Sequence, residues 1–352
     1  MVSKDAIMQV LSGIDDPELK RPLTDLDMIK SVEINDGRVD IAILLTVPGC
    51  PLKDKISNDV RTSVSLIPDV ESVGVTFDVM DEQQRTRLKQ KLGLGGSTVA
   101  GGATIVNFAR RFICIASGKG GVGKSTCTSN IAVALGRLGY KVGVLDADVY
   151  GFSIPRMLGL SGQPTVLDDK IIPLRLEDNL QVVSMGFFVE EDQPVIWRGP
   201  LLHKAINQFI SDVAWDKLDF LLLDLPPGTG DVTMTVAQAI PSAELLVITT
   251  PQATATHVAG RVAKLAEKTK LKVIGVIENM AYFEMNGQRE YVFGRDGGKK
   301  LAAQLGVDCL GEIPLETSIR EGADTGKPVA RYGSEQQMQV FEKIARRIEA
   351  MG

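Results

Sequence analysis

The sequence is poor in cysteine, with four in 352 residues: Cys50, Cys114, Cys127 and Cys309. No two form a C-x-x-C pair or a zinc spacing, which excludes a zinc-ribbon or finger framework and a disulfide-stapled scaffold. All four read as reduced thiols. No apolar run approaches the roughly 18 residues of a membrane span. The opening MVSKDAIMQV meets acidic residues too early for a secretory signal, so a protein that stays in the cytoplasm is expected. Acidic residues are missing from 86–111, against five Lys/Arg there, yet the basic run RTRLKQK has no interleaved aromatics. That pattern, with a net charge of −5, argues against a nucleic-acid partner.

What remains is ordinary globular chemistry, 44% hydrophobic and 24% charged, in a chain long enough for two domains. Residues 1–85 read as a small α+β domain. A helical pattern over Lys4–Ile14 ends at Asp15-Asp16-Pro17, strand-like runs Met28–Ile34 and Arg38–Val47 flank the turn Asn35-Asp36-Gly37, and a helix over Leu52–Leu66 precedes a strand, Val70–Val79. This domain is acidic, with 9 Lys/Arg against 16 Asp/Glu. Its charge reads either as a docking surface or as plain solvation. Residues 86–110, basic and then rich in glycine, are expected to be a flexible linker. Residues 111–352 alternate strand and helix, with strands expected at Phe112–Ala116, Lys141–Ala147, Phe220–Leu225, Glu244–Thr250, Lys272–Asn279 and Asp308–Glu312. The fold class is therefore α/β, a mostly parallel sheet covered by helices on both faces, preceded by the small α+β domain. In such sheets ligands bind at the carboxyl ends of the strands.

The first of these strands feeds SGKGGVGKST, in which Gly118, Gly123, Lys124 and Ser125 satisfy G-x-x-x-x-G-K-[ST]. Glycines let backbone N–H groups close around phosphate, and the following helix adds its positive end. Residues Gly118, Lys119, Gly120, Gly121, Val122, Gly123, Lys124, Ser125 and Thr126 thus form the nucleotide cradle, with Lys124 on the β- and γ-phosphates and Ser125 on Mg²⁺. Asp146 and Asp148 end the second strand two residues apart and can share a magnesium and a water. Asp146 reads equally as a structural support for its loop. Asp224 closes the next apolar strand as a Walker B carboxylate for Mg²⁺. Cys50 precedes Pro51 at a helix start near Lys53 and Lys55, where thiolate is favoured and a metal could be held. It reads also as a small buried hydrophobe.

The string KGGVGKST resembles the deviant P-loop of the MinD/ParA/Mrp class of ATPases, and DLPPGTGD, ENM and WRGP extend the resemblance over nearly the whole chain toward Mrp/ApbC-type Fe–S cluster carriers. DPELKRPLTDLDMIKSV with LTVPGCP is similar to the small domain of Fe–S assembly proteins, in which the cysteine at Cys50 is the functional one. The resemblance implies an ATPase that dimerises across the nucleotide, with Lys119 reaching the partner's phosphates like an arginine finger. It makes Lys119, Lys124 and Asp148 the catalytic set, Asp148 acting on the attacking water. It places Asn279 and Pro314 at the nucleotide, the amide of Asn279 on the adenine edge. It implies apo Fe–S proteins and assembly factors as partners.

One part of the pattern is missing. Many members follow ENM with a C-x-x-C pair that shares a [4Fe–4S] cluster between subunits, and here MAYFEMNGQREYVFG holds no cysteine. A cluster on this chain is then transient, shared or completed by a partner, with Cys50 its candidate ligand and the other three cysteines structural. The competing reading is a positioning switch of the MinD or ParA kind. For the MinD kind, the amphipathic stretch Gln336–Met351 would have to lie on a membrane rather than on its own sheet. A nitrogenase-reductase-like electron donor is disfavoured, because Ile248–Pro251 carries threonine and proline where cysteine is needed.

Overall fold

The computed structural model describes residues 2–17, 21–45, 53–91, 107–148, 151–167, 170–177, 179–188, 199–228, 231–252 and 255–351. Two compact units divide the chain, Met1–Ala100 with Thr165–Asp168, and Gly101–Pro164 with Asp169–Gly352.

In the first unit, α1 (Lys4–Leu11) and α2 (Lys53–Val64) accompany a three-stranded sheet of β1 (Ile29–Asn35), β2 (Arg38–Leu45) and β3 (Ser72–Val79). Strands β1 and β2 form an antiparallel hairpin. Its turn residues Asp36 and Gly37 both have positive φ, 43° and 83°, as a two-residue hairpin turn requires. Ile7, Leu11, Val39, Ile41, Ile43, Ile56 and Val60 are buried, at the alternate positions that helix and strand periods dictate.

The stretch expected to begin a flexible linker is partly helical. Helix α3 (Glu82–Lys91) opens on a reciprocal cap: Gln84 N donates to Asp81 Oδ1 at 2.8 Å and Asp81 N to Gln84 Oε1 at 2.9 Å. Leu88 is fully buried, and Lys91 pairs with Asp27 at 2.7 Å. The linker reading is thereby confined to residues beyond Lys91, and 92–106 lie outside the described residues.

The second unit is built on an eight-stranded sheet. Its strands are β4 (Ala109–Ser117), β5 (Val142–Asp146), β6 (Leu174–Leu176), β7 (Leu180–Ser184), β8 (Leu218–Asp224), β9 (Glu244–Thr249), β10 (Lys272–Glu278) and, past the hairpin of β11 (Phe283–Met285) and β12 (Gln288–Glu290), β13 (Cys309–Glu312). The spatial order is β13-β10-β9-β4-β8-β5-β7-β6, parallel except for the edge strand β6.

The strands are near-continuous apolar runs because both faces are covered. Phe112, Cys114, Leu221, Leu223, Leu245 and Val247 point to one side, toward α6 (Gly199–Ser211), α7 (Asp231–Ala239), α8 (Ala255–Thr269) and α9 (Gly297–Leu305). Ile113, Ile115, Val144, Leu222 and Leu246 point to the other, toward α4 (Lys124–Arg137) and α12 (Glu335–Glu349). The unit also contains α5 (Ile154–Met157), α10 (Thr317–Thr325) and α11 (Val329–Tyr332).

Helix α12 buries Phe341, Ile344, Ala345 and Ile348 in the core on that second face, so its apolar stripe is spent on the chain's own sheet. No helix among the described residues is long and apolar enough to cross a membrane. From β4 the chain moves to β5 on one side, and after β8 it crosses to β9 on the other. The strand order reverses at β4 and β8, which puts a crevice at their carboxyl ends.

Candidate functional site

The loop from β4 to α4 turns on two glycines in the left-handed region, Gly121 at φ +77° and Gly123 at φ +80°. A Cβ on Gly123 would come within 2.2 Å of Asn279 Nδ2, which donates to Val122 O at 2.8 Å. Gly123→Ala therefore meets both backbone strain and a clash. It is expected to lower ATP affinity at least about tenfold, read by titration with a fluorescent ATP analogue, with the melting temperature reporting any wider damage.

Three carboxylates converge behind the loop, and each has a different set of partners. Asp224 is fully buried at the end of β8. Its Oδ2 accepts from Lys124 Nζ at 2.7 Å and Ser125 Oγ at 2.6 Å, and Thr128 Oγ1 lies 2.8 Å from its Oδ1. Asp148 stands 3.6 Å from Lys124 Nζ, so Lys124, itself only 6% exposed, lies between two carboxylates.

Asp146 accepts from Ser184 Oγ at 3.0 Å, Ser153 N at 3.0 Å, Ile154 N at 3.2 Å and Asp148 N at 3.3 Å. Both of its oxygens are thus engaged in holding the loop that carries Asp148. Of the two readings open in the sequence, this geometry supports the structural one.

Burial, and then the negative charge of Asp224, push the Asp146 carboxyl up to about 7, with its hydrogen bonds opposing the shift. An unfolded aspartate titrates near ~3.9. Between the two values the folded protein keeps a proton that the unfolded chain has released. Stability then falls as pH rises from about 4 to about 7, and the cost, on the order of 2–4 kcal/mol, is fully present above that window. Asp146→Asn removes this slope. In magnesium-free urea unfolding, the variant should gain on the wild type between pH 5 and pH 8, whatever its lost hydrogen bonds cost at both; parallel curves would refute the assignment.

Lys119, on the same loop, donates to Gln252 Oε1 at 2.6 Å, and Arg261 Nη1 donates to Gly118 O at 3.0 Å. Gly228 N donates to Ser117 O at 3.1 Å, joining the segment after β8 to the start of the loop. Asn279 N donates to Thr249 O at 2.8 Å. Pro314 is buried just past β13, between Ile313, whose N–H bonds Glu278 O at 2.8 Å, and Leu315, whose N–H bonds Tyr282 O at 2.7 Å. The Asn279 and Pro314 segments are therefore laced together.

Every expected nucleotide-site residue from Gly118 to Asp224, with Asn279 and Pro314, lies at the carboxyl ends of the strands. Thr128, Ser184 and Gln252 belong to the site as well and went unread in the sequence. Thr128 had a signal, since it stands one helical turn past Lys124 and faces the same way.

The three described thiols do not converge. Cys114 and Cys127 are buried in the cores on opposite faces of the sheet, and burial pushes the Cys114 thiol up to about 12 and raises that of Cys127 too. Cys309 is half-buried on β13, and its thiol is also raised by burial. Cys50, Val149-Tyr150, Thr229-Gly230 and Trp197-Arg198 lie outside the described residues.

A family model described as a NUBPL iron-transfer P-loop NTPase of the ParA group matches residues 109–349. The chain belongs to this family. Residues 4–77 match a second model, described as an iron–sulfur cluster assembly protein. Similar proteins include the iron–sulfur cluster carrier protein of Mycobacterium leprae, 44% identical over 94% of this chain and 88% of that one. That of Bacillus subtilis is 39% identical over 99% and 98%.

Among solved structures, a nucleotide-binding protein from Archaeoglobus fulgidus in complex with ADP is 37% identical, with a TM-score of 0.58, over 67% of this chain and 93% of that one. The cell division ATPase MinD of Pyrococcus furiosus is 27% identical, with a TM-score of 0.53, over 69% and 100%. These matches fix the second unit as a P-loop NTPase of the MinD/ParA type and favour the cluster-carrier branch over the positioning switches.

Proposed function

We propose that this NTPase binds ATP with Mg²⁺, hydrolyses it slowly as a dimer closed across the nucleotide, and uses that cycle to carry an iron–sulfur cluster to recipient proteins. The observation that carries the nucleotide chemistry is the meeting of Lys124, Ser125 and Asp224 within 2.7 Å at the strand ends. The cargo rests on the name borne by the relatives of M. leprae and B. subtilis, which match nearly the whole chain.

The donor set fits magnesium. Ser125 Oγ and the Asp224 carboxylate are hard oxygens, and no three His, Cys, Asp or Glu side chains among the described residues form a ready-made cage. A site of this kind suits an ion that keeps waters and takes phosphate oxygens. When bound there, the ion neutralises charge on the transferring phosphoryl group.

The protein's own part is positioning and charge. Lys124 exchanges Asp224 for phosphate oxygens, and backbone N–H groups of the glycine loop cradle the chain of phosphates. Asp148 orients the attacking water, held in place by the loop that Asp146 anchors. Lys119, half-buried and bound to Gln252, supplies its charge to the partner's nucleotide.

The described thiols provide no cluster site within one chain, so the cargo is held by Cys50 with its counterpart in a second subunit or with a recipient's thiols. Anaerobic reconstitution of the wild type and of Cys50→Ser tests this, reading iron and sulfide per dimer and transfer to an apoprotein. A labile cluster that transfers from the wild type and is lost in the variant is the expected result. Intact ATP hydrolysis with no cluster in the wild type would mean that the cargo is something else.

A further inference from the structure

The glycine loop carries two lysines, and the fold holds them by different chemistry. Lys124 is buried between the carboxylates of Asp224 and Asp148. Lys119 is half-buried and, among the described residues, makes no ion pair; its Nζ donates instead to a neutral amide, Gln252 Oε1, at 2.6 Å. An ammonium on a carboxylate has its charge neutralised by its partner. On an amide oxygen it is oriented and stays cationic.

Gln252 stands on a firm support. It follows β9 by three residues, on a segment gripped from two sides. Asn279 N donates to Thr249 O at 2.8 Å. Pro251 is buried against the start of α9, so closely that a Cβ on Gly297 would come within 2.7 Å of Pro251 O and 2.8 Å of Pro251 Cα. At the other end of the contact, Arg261 of α8 donates to Gly118 O at 3.0 Å and fastens the backbone beside Lys119. Both partners of the Lys119–Gln252 bond are thus tied to packed elements, which is what makes a side chain's aim reproducible.

We propose that Gln252 is a positioning residue: it aims the Lys119 ammonium at the nucleotide of the partner subunit and leaves its charge intact. An ammonium has three donors, so one can remain on Gln252 while others take phosphate oxygens. The chemistry of the holder matters as much as its place. A carboxylate of the same shape would grip Lys119 more tightly and cancel the charge that the transferring phosphoryl group needs. An alanine would leave a long, flexible side chain to find its target from many rotamers, a cost that a fixed holder removes. The inference rests on the proposed closed dimer, in which Lys119 acts in trans.

Gln252→Glu, which keeps the shape of the side chain, is expected to lower kcat for ATP hydrolysis at least about tenfold, and Gln252→Ala roughly three- to tenfold. ATP affinity should stay within about threefold in both, because Lys124, Ser125 and the backbone cradle are unchanged. The deciding experiment mixes Gln252→Glu with Asp148→Ala before ATP is added and reads phosphate released in the first turnover. In the mixed dimer, the chain carrying Gln252→Glu keeps its own Asp148 and receives Lys119 from a chain whose Gln252 is intact. Phosphate release should therefore exceed that of either variant alone, a recovery that damage confined to the variant's own fold would not give. Lys119→Ala mixed with Asp148→Ala is the control. Recovery there with none for Gln252→Glu, or a wild-type kcat in Gln252→Glu, overturns the proposal and leaves the closed dimer standing. No recovery in either mixture overturns the trans role of Lys119, and this inference with it.

Discussion

Lys124→Ala is expected to abolish measurable ATP binding and, separately, to destabilise the folded protein. The two effects share one geometry. Lys124 Nζ is 2.7 Å from Asp224 and 3.6 Å from Asp148, and Asp224 has no solvent exposure. Charge-assisted contacts to phosphate are worth about 1.5–3 kcal/mol each, so losing two of them costs roughly 10²–10⁴ in affinity. Removing the cation also leaves Asp224 buried without its ion pair, a loss of about 3–5 kcal/mol when no rearrangement relieves it. The double variant Lys124→Ala with Asp224→Asn separates the effects: stability should largely return and ATP binding should not. Isothermal titration and urea unfolding read the two quantities. A single variant that binds ATP within about threefold of the wild type would remove Lys124 from the phosphate site.

The parts of this site visible in the sequence are those where backbone geometry leaves no choice of residue. Gly121 and Gly123 occupy positive φ in a loop whose carbonyl at Val122 is bonded by Asn279, and a glycine-rich string between an apolar strand and a helix reports that directly. The central strands were equally plain, since burial on both faces demands uninterrupted apolar runs, as in FLLLD of β8.

The strands β6 and β7 were not read, and the reason is polar burial. Arg175 in β6 is 8% exposed and pairs with Asp216 at 2.8 Å, while Gln181 in β7 accepts from Asp216 N at 3.1 Å. Asp216 meets both of them inside the fold, so LRL and LQVVS look like a loop to any pattern based on hydrophobicity. Ser184, which ends β7 and holds Asp146, was hidden with them. Helix α3 reads as linker because EQQRTRLKQK holds a single apolar residue, the buried Leu88, which sets no period. The Asp81-x-x-Gln84 cap was the signal that could have found it.

The missing C-x-x-C pair bears on how the cycle works rather than on whether it runs. Where relatives of that pattern would place thiols after Asn279, this chain folds a β-hairpin whose Arg289 covers Tyr282 and whose Met285 is half exposed. Nothing in that hairpin can ligate iron through sulfur, other than the weak thioether of Met285. In the proposed cycle, control of cargo by nucleotide then acts through subunit geometry, and the residue that times the return from the closed dimer is the most informative one to change.

That residue is Asp148. Asp148→Ala is expected to keep ATP affinity within a few-fold of the wild type, because Ser125, Asp224 and the glycine loop are untouched by the change and Lys124 keeps its closer partner, Asp224. Hydrolysis should fall by roughly 10²–10⁴, the usual scale for losing a group that positions or deprotonates the attacking nucleophile. In the proposed cycle hydrolysis reopens the dimer, so the variant with ATP should accumulate as a dimer in light scattering, whereas the wild type relaxes to monomer as nucleotide is consumed. Single-turnover hydrolysis separates the chemical step from product release. Asp146→Asn provides the contrast, because it disturbs the same loop through its anchor rather than at the water, and should lower the rate less while making it depend on pH differently. Should Asp148→Ala hydrolyse ATP at the wild-type rate, the water must be handled elsewhere, and the segment after β8, tied to the loop through Gly228 N and Ser117 O, is the next place to look.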